Sequence, residues 1–152
     1  MKQLELRRHA RRDPQHDRLS PEGRVQAEDV GRTLAGRYAV VFVSPAERAA
    51  ETVAWFLRSA RQQRPAHDAI PGLAGEGVVG GTPDGLAEVV RGLLARVPEG
   101  ERGLAVGHTP LIEKAVLGLT GQEIAPLGEC EGVLISQDED GELSVLELRL
   151  GS

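Results

Sequence analysis

Short apolar runs and helical apolar stripes take turns along this chain. Gln3 to Arg7, with Leu4 and Leu6 alternating, predicts a first strand, and a polar loop follows from Ala10 to Arg18. Ser20-Pro21-Glu22 is a helix start: an N-cap serine, a proline at the first helical position and an acid beside the positive end of the helix dipole. Ala27, Val30 and Leu34 form that helix's stripe, and Gly36 is its expected stop. Tyr38 to Val43 is a continuous β-branched and aromatic run, as in a strand buried on both faces. Ser44-Pro45 then opens a second predicted helix with Ala46, Ala50, Val53 and Leu57 on one side.

Residues 62–81 are irregular and rich in Gly and Pro, with a short strand expected at Asp68 to Ile70. Thr82-Pro83-Asp84 repeats the capping pattern ahead of a stripe at Leu86, Val89, Val90, Leu93, Leu94 and Val97. Gly103 to Val106 is another short buried strand. It turns at Gly107 into a helix carrying Leu111, Ile112, Ala115, Val116 and Leu119. The tail changes character: Gly132 to Ser136 and Leu143 to Leu148 predict two strands joined by a turn at Asp140-Gly141. No internal repeat or low-complexity linker interrupts this order. The expectation is a single α/β domain over 1–152. It is a three-layer sandwich with a mainly parallel central sheet, helices on both faces and an antiparallel C-terminal pair.

Composition narrows the function classes. At 152 residues, 40% of them hydrophobic and 27% charged, the chain suits one globular domain. Its longest strongly apolar run is Tyr38 to Val43, so no membrane span is expected, and a cytoplasmic location is the default. One cysteine, Cys130, offers neither an intrachain disulfide nor a multi-cysteine metal site, and is read as a small buried residue. The net charge of −5 and only four aromatic residues argue against a nucleic-acid partner. Charge is unevenly spread. Residues 1–64 hold 13 basic and 8 acidic side chains, whereas 65–152 hold 5 and 15. A positive first half within an acidic protein points to a local anion site.

In parallel sheets, ligands sit at the carboxyl ends of the strands. Here those ends carry Arg7-Arg8-His9, Ser44-Pro45-Ala46-Glu47-Arg48 and Gly107-His108-Thr109-Pro110. Two imidazoles and two guanidiniums at one edge suit a phosphoryl group, with helix N-termini at Pro45 and Thr109 expected to add N–H donors. A neutral imidazole is also a nucleophile at physiological pH. If His9 attacks phosphorus, the product is a phosphohistidine that water hydrolyses, while the arginines and a protonated second histidine stabilise the equatorial oxygens. No metal or other cofactor is called for. Arg7 alternates away from Arg8 and is expected to be exposed. His16 and His67 are read as solvated, and Arg18 is a further residue that could reach the pocket from above.

Leu6-Arg7-Arg8-His9-Ala10 resembles the Arg-His-Gly signature of the histidine phosphatase superfamily, the phosphoglycerate-mutase-like enzymes. Leu19-Ser20-Pro21-Glu22-Gly23 is similar to the segment that opens the family's first helix. Ser44 to Thr52 resembles its Ser-Pro, Arg-Ala, Thr motif, and Val106 to Pro110 its second-histidine motif. The resemblance spans roughly residues 3–120. It implies His9 as nucleophile, Arg8 and Arg48 as phosphate clamps and His108 as a phosphate ligand. The short length and compact middle look most like SixA-type phosphohistidine phosphatases, which implies a phosphohistidine on a partner protein as preferred substrate. A small-molecule phosphatase acting on a sugar phosphate or nucleotide is the alternative. Mutase chemistry ranks behind both, because few residues remain to build a deep closed pocket.

Two positions depart from the family pattern. Ala10 stands where the family has Gly, which costs stability if φ is positive there and motivates a third reading, a non-catalytic phosphate-binding module. Glu76 is the nearest candidate for the general acid that many relatives use to protonate the leaving oxygen. SixA-type enzymes lack an obvious equivalent, since imidazole leaving from a P–N bond needs less help than an alkoxide.

Overall fold

Leu4 and Leu6 are fully buried in the strand around which the sheet is built, β1 (Lys2–Arg8). The structure is a computed structural model that describes residues 1–34, 36–62, 67–77 and 81–151. The elements that follow are α1 (Pro21–Thr33), β2 (Val40–Val43), α2 (Glu47–Ser59), β3 (His67–Ala69), a 3-10 turn (Pro71–Ala74), α3 (Pro83–Arg96), β4 (Arg102–Gly107), α4 (Leu111–Thr120), β5 (Gly132–Gln137) and β6 (Leu143–Leu148). The sheet order is β3-β2-β4-β1-β5-β6. β3, β2, β4 and β1 run parallel, while β5 and β6 are antiparallel additions at one edge. Helices cover both faces. Leu4, Leu6 and Phe42 pack with the apolar sides of α3 and α4 in one cluster. Val41, Val43, Leu104 and Val106 pack with α1 and α2 in the other. This is the α/β architecture expected from the sequence, mainly parallel with its antiparallel pair at the C-terminal end.

Local chemistry explains most boundaries. Ser20 and Thr82 are true N-caps, accepting from Gly23 N and Gly85 N at 3.0 and 3.1 Å. Gly23 has a further reason: a Cβ there would lie 2.0 Å from the Arg11 carbonyl, so the loop after β1 can rest on α1 only if this residue lacks a side chain. Asp138 holds the β5–β6 turn by accepting from Asp140 N and Glu142 N, both at 2.9 Å.

Several expectations shift. The second helix begins at Glu47, not at Ser44-Pro45, and its buried side is Ala49, Thr52, Val53, Phe56 and Leu57. Ala46 and Ala50 are only half-buried: Ala46 stands at the N-cap outside the helix, and the buried arc is the one shared by Ala49, Val53 and Phe56. Tyr38 lies outside β2, and its hydroxyl reaches Glu5 at 2.9 Å. β3 is one residue earlier than expected, and the 3-10 turn falls in the stretch read as irregular. Within that stretch, residues 63–66 and 78–80 lie outside the described residues.

Arg7 is a clear correction. It is only 7% exposed, with Nε 2.5 Å from Glu5 Oε2 and Nη1 donating to the Cys130 carbonyl at 2.8 Å. Alternation does turn it away from Leu4 and Leu6, but that face is covered by α1 and α2 and supplies Glu5 as a counter-charge.

Candidate active site

Because β1, β2 and β4 are parallel, their carboxyl ends reach one edge. The register sets Arg8 beside Gly107 and Val43 beside Val106. The residues just beyond these ends, His9, Ser44 and His108, are therefore neighbours. His9 N bonds Gly107 O at 3.1 Å and Ser44 N bonds Val106 O at 3.0 Å, which continues the ladder into the site. Arg48 enters from the first turn of α2. Arg8, His9, Arg48 and His108 line an open cleft of about 530 Å³, with Pro45, Ala46 and Glu76 among its other walls.

The geometry assigns each imidazole its tautomer. His9 Nδ1 is 2.7 Å from the Ala10 carbonyl, so Nδ1 carries the proton and donates it. Nε2 is then an unprotonated lone pair, and it accepts from Arg48 Nε at 3.3 Å. Arg48 Nη2 also donates to His108 Nδ1 at 3.3 Å, which leaves the neutral His108 ring protonated at Nε2. That N–H donates to the Ser44 hydroxyl oxygen at 2.6 Å. The two rings meet edge to face with centroids 5.3 Å apart. One guanidinium thus binds the reactive faces of both histidines.

Electrostatics follows from this packing. His9 titrates below its usual value, chiefly through burial, with Arg48 and Arg8 adding to the effect against the Ala10 hydrogen bond and Glu129. His108 is lowered to about 4, again first by burial and then by Arg48 and His9. Both rings are therefore neutral at pH 7. For His9 this suits a nucleophile. For His108, the ring beside Arg48 is uncharged among the protein's own groups, and an added negative charge, such as a phosphoryl group, would favour its protonation.

Arg8 donates through Nη1 to Leu127 O at 2.9 Å, and its backbone N bonds Glu131 O at 2.8 Å. Its buried Nε has no partner among the described residues, a donor left for an incoming oxyanion. Ala10 resolves simply. Its φ is not positive, its N–H donates to Thr52 Oγ1 at 3.0 Å, and its side chain is fully buried. The strain that would have motivated a non-catalytic module does not arise.

Glu76 borders the cleft as an exposed carboxylate, brought there by the left-handed turn at Gly75 (φ +76°). Arg18 does not reach the site. It is exposed and faces Asp13, Nε to Oδ2 3.5 Å. His16 and His67 are exposed. Cys130 is buried, and burial pushes its thiol up to about 12, which leaves it inert. Among the described residues, no group of three His, Cys, Asp or Glu side chains is placed to hold a metal ion. None of their helices is long and apolar enough to cross a membrane.

Sequence reasoning missed Asp17 and the role of Ser44. It also expected the N-terminus of the second helix to offer N–H groups to a ligand. Those groups are already taken: Glu47 N and Arg48 N donate to the Asp17 carboxylate at 2.9 and 3.2 Å.

The sequence matches the model of the histidine phosphatase superfamily, branch 1, over residues 3–73, a stretch that includes Arg8-His9 and Ser44 to Thr52. The match covers a little under half of the chain, and over that stretch the sequence is similar to this superfamily. No curated protein sequence matches this chain significantly. Solved structures do match, over nearly the whole chain. A phosphoserine phosphatase from Entamoeba histolytica, solved with 3-phosphoglyceric acid, superposes with TM-score 0.78 at 18% identity, covering 99% of this chain and 98% of that one. The protein histidine phosphatase SixA, complexed with tungstate, gives 0.74 at 21% identity, covering 97% and 96%. A mycobacterial glucosyl-3-phosphoglycerate phosphatase gives 0.73 at 14% identity, covering 98% and 99%. At these identities the likeness is one of fold, and a phosphoglycerate mutase from Bacillus anthracis shares it as well (TM-score 0.69, 16% identity).

Proposed function

We propose that this chain hydrolyses a phosphorylated substrate through a phosphohistidine on His9, without a metal ion, and that its preferred substrate is phosphohistidine on a partner protein. The observation that carries the reading is the bare Nε2 of His9, held in the cleft by the Ala10 carbonyl and faced by Arg48. Nε2 attacks phosphorus in line, the bond from phosphorus to the leaving imidazole or alkoxide breaks, and the leaving group takes a proton. The Ala10 carbonyl keeps its bond to Nδ1–H as the ring gains the phosphoryl group. Arg8 and Arg48 donate to the equatorial oxygens, and the incoming negative charge favours a proton on His108 Nδ1, which then donates to a further oxygen; positioning and charge stabilisation are most of what phosphoryl transfer requires. Water then attacks the phosphohistidine, releasing phosphate and restoring Nε2.

Two features support a protein substrate. The cleft is open, and the fold is shared with the protein histidine phosphatase SixA. A small phosphomonoester is the second reading. Glu76 favours it, since a carboxyl group at the rim could protonate an alkoxide.

The test is metal-free turnover of para-nitrophenyl phosphate by wild type and by His9→Ala, with acid- and base-quenched labelling. Expected are loss of turnover in His9→Ala and an acid-labile, base-stable phosphoryl group on wild type. Equal or absent turnover in both, with inorganic phosphate still bound, would make the chain a binding module. Arg48→Ala is expected to lose about 2–4 kcal/mol of transition-state stabilisation. Comparing kcat/KM for a histidine-phosphorylated protein with those for phosphoserine and 3-phosphoglycerate decides between the two substrate classes.

A further inference from the structure

α2 begins without a cap of its own. Ala46 stands at its N-cap position, and no side chain of the helix serves its first N–H groups. The cap comes from elsewhere in the chain. Asp17, in the loop after β1, accepts from Glu47 N through Oδ2 (2.9 Å) and from Arg48 N through Oδ1 (3.2 Å). The same Oδ1 accepts from Arg48 Nη1 at 2.8 Å. A carboxylate at a helix N-terminus is favoured by the orphan N–H groups and by the dipole together.

The loop that carries Asp17 is itself pinned. Asp13 N bonds Arg18 O at 2.7 Å, Arg12 and Leu19 form a β-bridge, and Leu19 N bonds Glu51 Oε1 at 2.8 Å. Arg48 is consequently gripped on both sides. Nη1 is held by Asp17, while Nε and Nη2 point to His9 Nε2 and His108 Nδ1. A guanidinium is planar, so fixing one edge fixes the direction of the other.

We infer that Asp17 is the positioning residue for Arg48: it caps α2 from the β1 loop and, through the same carboxylate, aims the guanidinium at the two imidazoles. This rests on the phosphatase reading for its consequence in catalysis, and on geometry alone for the orientation of Arg48. Asp17 does not touch the reacting atoms and acts only through Arg48.

The charges around the imidazoles make the proposal readable without turnover. His9 is lowered by Arg48 and Arg8 and raised by Glu129. His108 is lowered by Arg48, His9 and Arg12, and raised by Asp17. If Asp17 holds Arg48 in place, removing its charge frees the guanidinium, and both imidazoles titrate closer to their ordinary value. If Asp17 acts only through space, its removal lowers His108 further and leaves His9 unmoved. The sign of the change therefore separates positioning from simple proximity.

The experiment is an NMR titration of the His9 and His108 rings in wild type, Asp17→Asn, Arg48→Gln and the double variant, with kcat/KM for para-nitrophenyl phosphate measured on each. The expected result is an upward shift of both rings in Asp17→Asn, and no further upward shift when Asp17→Asn is added to Arg48→Gln, where only the direct through-space loss at His108 remains. A 10- to 100-fold fall in kcat/KM should accompany it, with the asparagine variant still folded because its side-chain oxygen can accept a capping N–H. Asp17→Ala, which loses cap and charge together, should melt lower than Asp17→Asn. A fall or no change in the His108 titration, an additive double variant, or unaltered turnover in Asp17→Asn overturns the proposal. If wild type itself shows no turnover, the phosphatase reading fails, and the ring titrations still decide whether Asp17 orients Arg48.

Discussion

Ser44 and His108 are joined by a 2.6 Å hydrogen bond between the serine hydroxyl and Nε2 of the ring, with the serine fully buried. The hydroxyl also accepts from Ala46 N at 3.2 Å, so one oxygen sets both the turn into α2 and the rotation of His108. The tautomer that presents Nδ1 to the cleft depends on this bond. Ser44→Ala leaves a buried ring N–H unpaired, at a cost of about 1–3 kcal/mol. The expected outcome is a fall in kcat/KM of roughly 5- to 100-fold in a protein that still folds, with its melting temperature lower by several degrees. Turnover within a factor of two of wild type would mean that packing alone orients the ring.

His108 also ties stability to pH. Its folded-state value is about 4, against an ordinary 6.5 when unfolded. Between those values the unfolded chain binds the proton and the folded chain resists it, so stability is lost as pH falls from 6.5 toward 4 and is unaffected by this group above 6.5. His9, lowered in the same direction, adds to the trend. Denaturant midpoints measured from pH 7.5 to 4.5 should decline below 6.5, and less steeply in His108→Gln. Parallel declines in the two proteins would remove His108 as a contributor.

The Glu5–Arg7 pair gives a third prediction, on the other side of β1. Glu5 accepts from Arg7 and from the Tyr38 hydroxyl, and burial together with that carboxylate pushes the phenol well above its ordinary range. Arg102 adds a charge at 3.7 Å. Breaking a buried pair by removing one partner leaves an uncompensated charge, so Arg7→Met should cost about 3–5 kcal/mol. Glu5→Gln with Arg7→Met keeps an acceptor for Tyr38 and removes both charges, and should recover most of that loss. Chemical denaturation of the three proteins checks it. A double variant no more stable than the single one would locate the cost elsewhere, in the Arg7 contact with the Cys130 carbonyl.

Much of this molecule was written in the order of its residues. The alternating Leu4 and Leu6, the Ser20-Pro21 and Thr82-Pro83 starts and the Leu86 to Val97 stripe specify elements through contacts a few residues apart. Parallel strand–helix order then brings residues 9, 44 and 108 to one edge, so the candidate site was legible as a set of strand ends. Element order and local spacing could not say which charges pair across the fold. Glu5 lies only two residues from Arg7 on the same face, but Arg7 looked exposed because the helices that cover that face and the Cys130 carbonyl, 123 residues away, are brought there by folding. The second helix looked as if Ser44 began it, yet its cap is Asp17, about 30 residues earlier in the chain. His108 looked like a cation because a lone histidine near phosphate chemistry usually is one, and only burial beside Arg48 makes it neutral. Periodicity and capping act over one or two turns, so the sequence determines them. Ionisation, tautomer and the aim of a guanidinium depend on groups that only folding brings together, and those the tertiary structure decided.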